Sequence, residues 1–261
     1  MGKKGESTRP MLAVPAKEFV KSVLPCYRGA EVTIHLGKKP TQHTYIVPKH
    51  ILCKQSSYFA CLFNGRFREG EEQVAELTEI DGVLSVRSFE MVLQWLCTGT
   101  VILEDEPPTQ TISTAIEFSR LMDMYNIPGS GDRMAEHIKR TIVENCPSPP
   151  STDTNWSQAT RSQARDPNAH TNYLTTEHIV SAATLPLGHP VRIILAQATV
   201  EGFLRDEYHK FIKETQEIPG FALDVLRETM TALKVSHKHF CAYVAFKDPF
   251  SGEILDSYLM A

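Results

Sequence analysis

Apolar and polar positions change period several times along the chain, and each change marks an element. In "EVTIHLG", Val32, Ile34 and Leu36 alternate with polar neighbours, the period of two that a half-buried strand shows. Gly37 closes this run, and "TYIV" at 44–47 supplies a second one across "GKKPTQ". The two are predicted to pair as a hairpin. Pro48 then opens a helix, "PKHILCKQ", where its missing N–H is harmless in the first turn. Ser56 is placed to cap the next helix, "SYFACLFN", by accepting from a free N–H. Tyr58 and Leu62, Phe59 and Phe63 recur at i, i+4 on that helix and are expected in the core. Asn64-Gly65 stops it. "QVAELTEI" reads as a third strand. "SVRSFEMVLQWLCTG" reads as a helix with Phe89, Val92, Leu93 and Leu96 on its apolar stripe and Trp95 also in the core. "TVIL" follows as a short strand. "TISTAIEFSRLMDMYNI" and "GDRMAEHIKRTIVEN" are two helices joined at Pro128-Gly129.

The pattern then breaks. Residues 146–173 hold Pro, Ser, Thr, Asn and Asp with almost no aliphatic side chain, the composition of a linker or disordered loop. Periodicity resumes with a capped helix, "TTEHIVSAATL", and a longer one, "HPVRIILAQATVEGFLRDEY". The longer helix is apolar on several faces and is expected to be central and mostly buried. "FALDVLRETMTALKV" is a further helix, and the tail "CAYVAFKDPFSGEILDSYLM" fits a small hairpin turning at "DPFSG". Residues 1–28, mildly basic and interrupted by Pro10, Pro15 and Pro25, read as a loosely ordered arm with one short helix near Lys17–Leu24. Four regions follow: the arm at 1–28, an α+β domain with trailing helices at 29–145, the linker at 146–173, and a helical region at 174–261.

The order strand–strand–helix–helix–strand–helix–strand–helix from 31 to about 127 carries residue detail with it. Leu52 is followed by Ser57-Tyr58-Phe59, and Phe89 by Trp95-Leu96 and Thr98-Gly99, in "YIVPKHILCKQSSYFACLFNGRFREG" and "LTEIDGVLSVRSFEMVLQWLCTGTV". On these stretches the segment resembles a BTB/POZ domain. The Trp-Leu-x-Thr-Gly ending and the "FNGRFREGEE" wording look most like members from filamentous fungi, with the second half as a helical extension. The resemblance implies an α+β fold, a sheet of three to five short strands packed with helices, followed by an all-helical C-terminal region. It also implies protein partners, self-association through this domain, and no catalysis. Many such domains are adaptors that dock on a cullin scaffold of a ubiquitin ligase through a hydrophobic-x-Glu motif after the helix corresponding to 57–64. Phe67-Arg68-Glu69 falls in that place, with Tyr58, Phe59, Leu62 and Phe63 on the supporting helix. An oligomerisation scaffold or nuclear regulatory factor that never meets a cullin is the alternative. The chain departs from the usual pattern at Glu31, where many members carry Asp, and at Pro48-Lys49, where His-Lys is frequent. Its proline-broken arm also speaks against a domain-swapped dimer.

Composition narrows the classes without choosing among them. The chain has 261 residues, 42% hydrophobic and 22% charged, with a net charge of −4, which suits a soluble globular protein with a substantial core. The mild acidity argues against nucleic acid as a general partner. No apolar run reaches the ~18 residues of a membrane span, and no secretory h-region follows Met1. The six cysteines form no C-x-x-C pair. A reduced, cytoplasmic or nuclear protein is therefore expected.

Candidate chemistry is sparse. Cys53 and Cys61 flank the Ser56-Ser57 break and read as core filler rather than a redox pair. His237-Lys238-His239-Phe240-Cys241 lacks a fourth ligand at zinc-site spacing. Glu136-His137 and Glu177-His178 are adjacent pairs, so their side chains diverge on a helix. Phosphate-loop, dinucleotide, H-E-x-x-H and G-x-S-x-G signatures are absent, and no cofactor is implied. Phe67 beside Arg68 and Glu69 has the make-up of an interface anchor with a polar rim; a charged turn with one satellite hydrophobe is the plain alternative.

Overall fold

The computed structural model describes residues 14–104, 106–146, 166–234 and 245–256. They fall into two compact units. One takes the chain up to Glu106 together with Glu117–Ser130, and the other takes Pro107–Ile116 together with the chain from Gly131 onward.

The first unit is built on a three-stranded mixed sheet. Strands β1 (Glu31–Leu36) and β2 (His43–Pro48) pair antiparallel, with Ile34 opposite Tyr45. Strand β3 (Val74–Leu77) lies parallel to β1, so the order is β2-β1-β3. The alternation seen in β1 is realised: Val32, Ile34 and Leu36 are buried, and Thr33 and His35 are half-exposed. Each of these three buried side chains is worth about 1.5–3 kcal/mol, which sets the register of β1 against its neighbours.

Helices α1 (Ala16–Ser22), α2 (Lys49–Gln55), α3 (Ser57–Asn64), α4 (Arg68–Glu72) and α5 (Val86–Thr98) complete this unit, with the second half of α6 (Pro108–Met124). Pro48 ends β2 and stands just ahead of α2, rather than inside its first turn. Ser85 caps α5 in a reciprocal box with Ser88, and Gly99, at φ 68°, ends the helix in the left-handed region that glycine adopts without steric cost. Every residue of α5 from Ser88 to Leu96 is buried, a wider apolar contact than a single stripe provides. The polar Gln94 survives there because both ends are used: Nε2 donates to the Val14 carbonyl at 2.7 Å, and Oε1 accepts from Ile102 N at 3.1 Å. That second bond accompanies one correction. "TVIL" joins no sheet among the described residues; the Ile102 N–H goes to the Gln94 side chain instead of a strand.

The second unit is mostly helical: α7 (Gly131–Asn145), a 3-10 turn (Ala169–Thr171), α8 (Thr176–Ala182), α9 (Pro190–Arg205), α10 (Ile212–Glu217) and α11 (Pro219–Lys234). Helix α9 is its centre, packed by both α7 and α11. It buries Val191, Ile194, Leu195, Ala198 and Val200 on several faces, as its lack of one clear stripe predicts. The region is mostly rather than wholly helical, and the hairpin expected around "DPFSG" is present. Strands β4 (Ala245–Lys247) and β5 (Ile254–Asp256) pair antiparallel, and Phe246 and Leu255 join Val200, Leu204 and Ala232 in one apolar cluster. Arg192 is buried in this unit. It pairs with Asp224 at 2.7 Å and donates to the Leu185 and Gly220 carbonyls at 2.8 and 2.9 Å.

Candidate protein-interaction site

Helix α3 and the turn after it place the predicted residues. Ser56 Oγ accepts from Phe59 N at 3.1 Å and donates to the Tyr125 carbonyl at 2.6 Å, so one buried hydroxyl both caps α3 and ties it to the end of α6. Phe59 and Phe63 are fully buried and stack with centroids 6.2 Å apart, and Tyr125 lies 4.7 Å from Phe59. At the other end of α3, the Phe63 carbonyl accepts from Lys49 Nζ at 2.8 Å and Gln73 Nε2 at 3.2 Å. A cation there also suits the negative end of the helix dipole.

The expectation that the whole aromatic cluster is core needs correcting. Tyr58 is 40% exposed, Leu62 is half-buried and Cys61 is exposed. Residues at i, i+4 share a face, but α3 is two turns long, and only Phe59 and Phe63 of its aromatic and leucine side chains are fully buried, against each other and Tyr125. Tyr58 and Leu62 stand on its rim. Cys53 is half-buried and donates to the Phe59 carbonyl, and burial pushes its thiol pKa up, the reverse of an activated cysteine.

Phe67 is 58% exposed. It stands at the N-cap of the short helix α4, which periodicity did not reveal because it is five residues of charge and glycine. The turn carrying it is tight. A Cβ on Gly65 would lie 2.4 Å from the Cys61 carbonyl and 3.0 Å from the Phe67 ring, and one on Gly70 would lie 2.4 Å from the Gly65 carbonyl. Gln73 closes α4 in the left-handed region at φ 56°, and its side chain reaches back to the Gly70 carbonyl. Phe67 is therefore presented on a braced turn. Arg68 pairs with Glu72 at 2.9 Å in solvent, where screening and side-chain entropy leave such a contact little net effect. Glu69 is half-buried, and its charge, after burial, contributes to raising the Tyr58 pKa. Its carboxylate thus lies on the Tyr58 side of the turn. Among the predicted residues Tyr58 and Phe67 are exposed, Leu62 and Glu69 are half-buried, and Phe59 and Phe63 are core.

Residues 26–142 match the BTB/POZ domain family. This segment is a BTB/POZ domain. No curated protein matches the chain. The BTB/POZ domain is a non-catalytic module for protein–protein interaction and oligomerisation. A second feature of the same domain is a cleft of about 440 Å³ between α1, α5 and residues 102–104. Ala16, Met91, Ile102 and Leu103 form its apolar lining, and Lys17, Lys21 and Arg87 its basic lining.

One pair outside the exposed surface has the look of catalysis. Ser113 Oγ lies 2.7 Å from His178 Nε2. His178 Nδ1, however, accepts from Thr175 N at 3.1 Å in the capping box of α8. That fixes the proton on Nε2, so the imidazole donates to Ser113 and cannot deprotonate it. Burial lowers the His178 pKa to about 4. Of the two Glu-His neighbours, His137 bonds to Arg140 and not to Glu136. The His237–Cys241 segment lies outside the described residues. No described helix is long and apolar enough to cross a membrane.

Proposed function

We propose that the chain is a BTB adaptor that recruits substrates to a cullin-based ubiquitin ligase in the cytoplasm or nucleus. Phe67 is its scaffold anchor, Arg68 and Glu69 the flanking polar contacts, and the helical second half the substrate holder. The observation that carries this reading is the exposure of Phe67 on a turn braced by Gly65, Gly70 and Gln73. A large apolar side chain held out on a pre-formed surface loses little entropy on docking, and an anchor of this kind typically supplies about 2 kcal/mol or more of binding energy. The likeness to filamentous-fungal members in "FNGRFREGEE" belongs to the same proposal.

Self-association through the BTB domain is the second part, supported by the apolar lining of the cleft beside α1 and α5. Co-purification of the full chain from native extract tests the adaptor. A cullin is expected among the partners and is expected to be lost in Phe67→Ala with Glu69→Ala. A cullin-free partner set that this double variant leaves unchanged would refute the adaptor and leave an oligomerisation scaffold or nuclear factor. Light scattering tests the other part, and a strictly monomeric mass at roughly tens of micromolar would remove it.

A further inference from the structure

Three metal-ligating groups distant in sequence converge inside the second unit. His170 comes from the 3-10 turn, Glu201 from α9 and Asp248 from the residue after β4, and they are 4%, 0% and 0% exposed. His170 Nδ1 lies 3.8 Å from Glu201 Oε2 and 3.9 Å from Asp248 Oδ1. The three ligand atoms lie within 4.8 Å of one another.

The surroundings orient each group. Arg205 Nη1 donates to Glu201 Oε1 at 2.5 Å, which turns Oε2 toward the imidazole. Ser251 donates to Asp248 Oδ2 through its N–H at 2.9 Å and its hydroxyl at 2.6 Å, while Oδ1 accepts a long contact of 3.4 Å from Phe250 N. The His170 ring stacks on Phe250 with centroids 4.6 Å apart. Outer partners that fix the orientation of a His and two carboxylates are what a metal site requires.

The spacing separates two ways of holding the cluster together. A protonated imidazole bonded to a carboxylate would sit about 2.7–2.9 Å from it, and both distances here are roughly 1 Å longer. A point equidistant from the three ligand atoms lies at most about 2.5 Å from each, and an inward movement of about 0.4 Å brings it to zinc–imidazole and zinc–carboxylate bond lengths of about 2.0–2.2 Å. One nitrogen and two oxygens suit a borderline divalent ion.

We propose that His170, Glu201 and Asp248 bind one divalent transition-metal ion, zinc by its donor preference, as a structural site. It pins the turn of the C-terminal hairpin and the 3-10 turn to α9.

The test uses the full chain with Cys26→Ser, Cys61→Ser and Cys241→Ser, which removes the thiols exposed among the described residues and the one in the His237–Cys241 segment. Metal content is measured as purified, and the chelator-stripped protein is titrated with zinc chloride by calorimetry. About one zinc per chain is expected, with a melting temperature that falls on stripping and recovers with zinc. Asp248→Asn and His170→Gln should each weaken binding at least ~100-fold, with the far-ultraviolet circular dichroism unchanged. Cobalt in place of zinc should give ligand-field bands without a thiolate charge-transfer band. Stoichiometric zinc that persists in both variants would overturn the assignment. So would a stripped protein that binds no zinc at roughly 100 micromolar and melts unchanged; in that case a protonated His170 is the cation. If both variants unfold, the stripping and reloading of the parent chain decides the question alone.

Discussion

Ser56→Ala is the substitution that most directly tests how the interaction surface is supported. The Ser56 hydroxyl is 1% exposed and makes two bonds, accepting from Phe59 N and donating to the Tyr125 carbonyl. Removing a serine N-cap costs about 1 kcal/mol, and taking the donor from a buried carbonyl costs about 1–3 kcal/mol. The two terms act on different elements, so they combine to about 2–4 kcal/mol. Ser57→Ala is the control. Its hydroxyl accepts from Asn126 Nδ2 at 2.6 Å in solvent, and its loss should cost about 0.5 kcal/mol or less. Ser56→Gly separates the terms, because glycine is a tolerable cap but cannot donate to Tyr125.

Trp95, buried against Phe118 in the same unit, reports the transition once Trp156 is replaced by Phe, so the two units need not unfold together. With a slope near 2 kcal/mol per molar, the urea midpoint of Ser56→Ala should fall by about 1–2 M. Ser56→Gly should fall somewhat less, and Ser57→Ala should scarcely move. A shift in Ser56→Ala no larger than that of Ser57→Ala, at unchanged slope, would refute the claim that one hydroxyl joins α3 to α6.

The same assay should show Phe67→Ala within about 0.5 kcal/mol of the parent, because Phe67 is mostly in solvent. Gly70→Ala, whose Cβ would meet the Gly65 carbonyl, should cost about 1–3 kcal/mol; equal stability of all three proteins would show the turn is not braced. In the second unit, Asp224→Ala should cost about 3–5 kcal/mol by leaving buried Arg192 without its carboxylate, while Arg192→Met with Asp224→Leu should recover much of it, both read by calorimetric melting. For pH, the buried His178 has a folded pKa near 4 against an ordinary 6.5. The unfolded chain therefore binds the proton first, and His178 contributes stability that is full above about pH 6.5 and lost as pH falls toward 4. The difference of about 2.5 units is worth about 3 kcal/mol. His178→Gln should flatten the slope of stability between pH 6.5 and 4, and an unchanged slope would show that another group carries it.

Local rules made much of the fold readable. Strand β1 alternates because one chain of side chains fills the core, and Ser56, Ser85, Thr175 and Gly99 punctuate helices through hydrogen bonds made within four residues. What escaped depended on partners far along the chain. Ile102 satisfies its N–H on Gln94, and its apolar β-branched run joins no sheet among the described residues. Tyr58 shares a helical face with Leu62, yet only Phe59 and Phe63 are fully buried, beside Tyr125, which comes from far along the chain. Helix α4 has no apolar period, and the close approach of Gly65 and Gly70 that shapes it is visible only in three dimensions. The His170, Glu201 and Asp248 cluster has no motif spacing, since its ligands come from three segments.

The candidate surface shows why sequence located it better than it explained it. Phe67 is conspicuous in the sequence because an aromatic residue stands among Arg66, Arg68, Glu69 and Glu71. Such a residue in a mobile turn would bury itself or sample many orientations, and its exposure would imply little about binding. Here Gly65 and Gly70 bring the two sides of the turn into backbone contact, Gln73 accepts a left-handed conformation to close it, and Lys49 and Gln73 share the carbonyl at the end of α3. A non-glycine left-handed residue costs about 1 kcal/mol, and Gln73 offsets it by accepting from Thr33 N at 2.9 Å as β3 begins and by donating to the Phe63 carbonyl. The bonds that start β3 therefore also fix the turn that carries Phe67, and a pre-formed turn is what an exposed anchor needs if it is to meet a partner without ordering on contact.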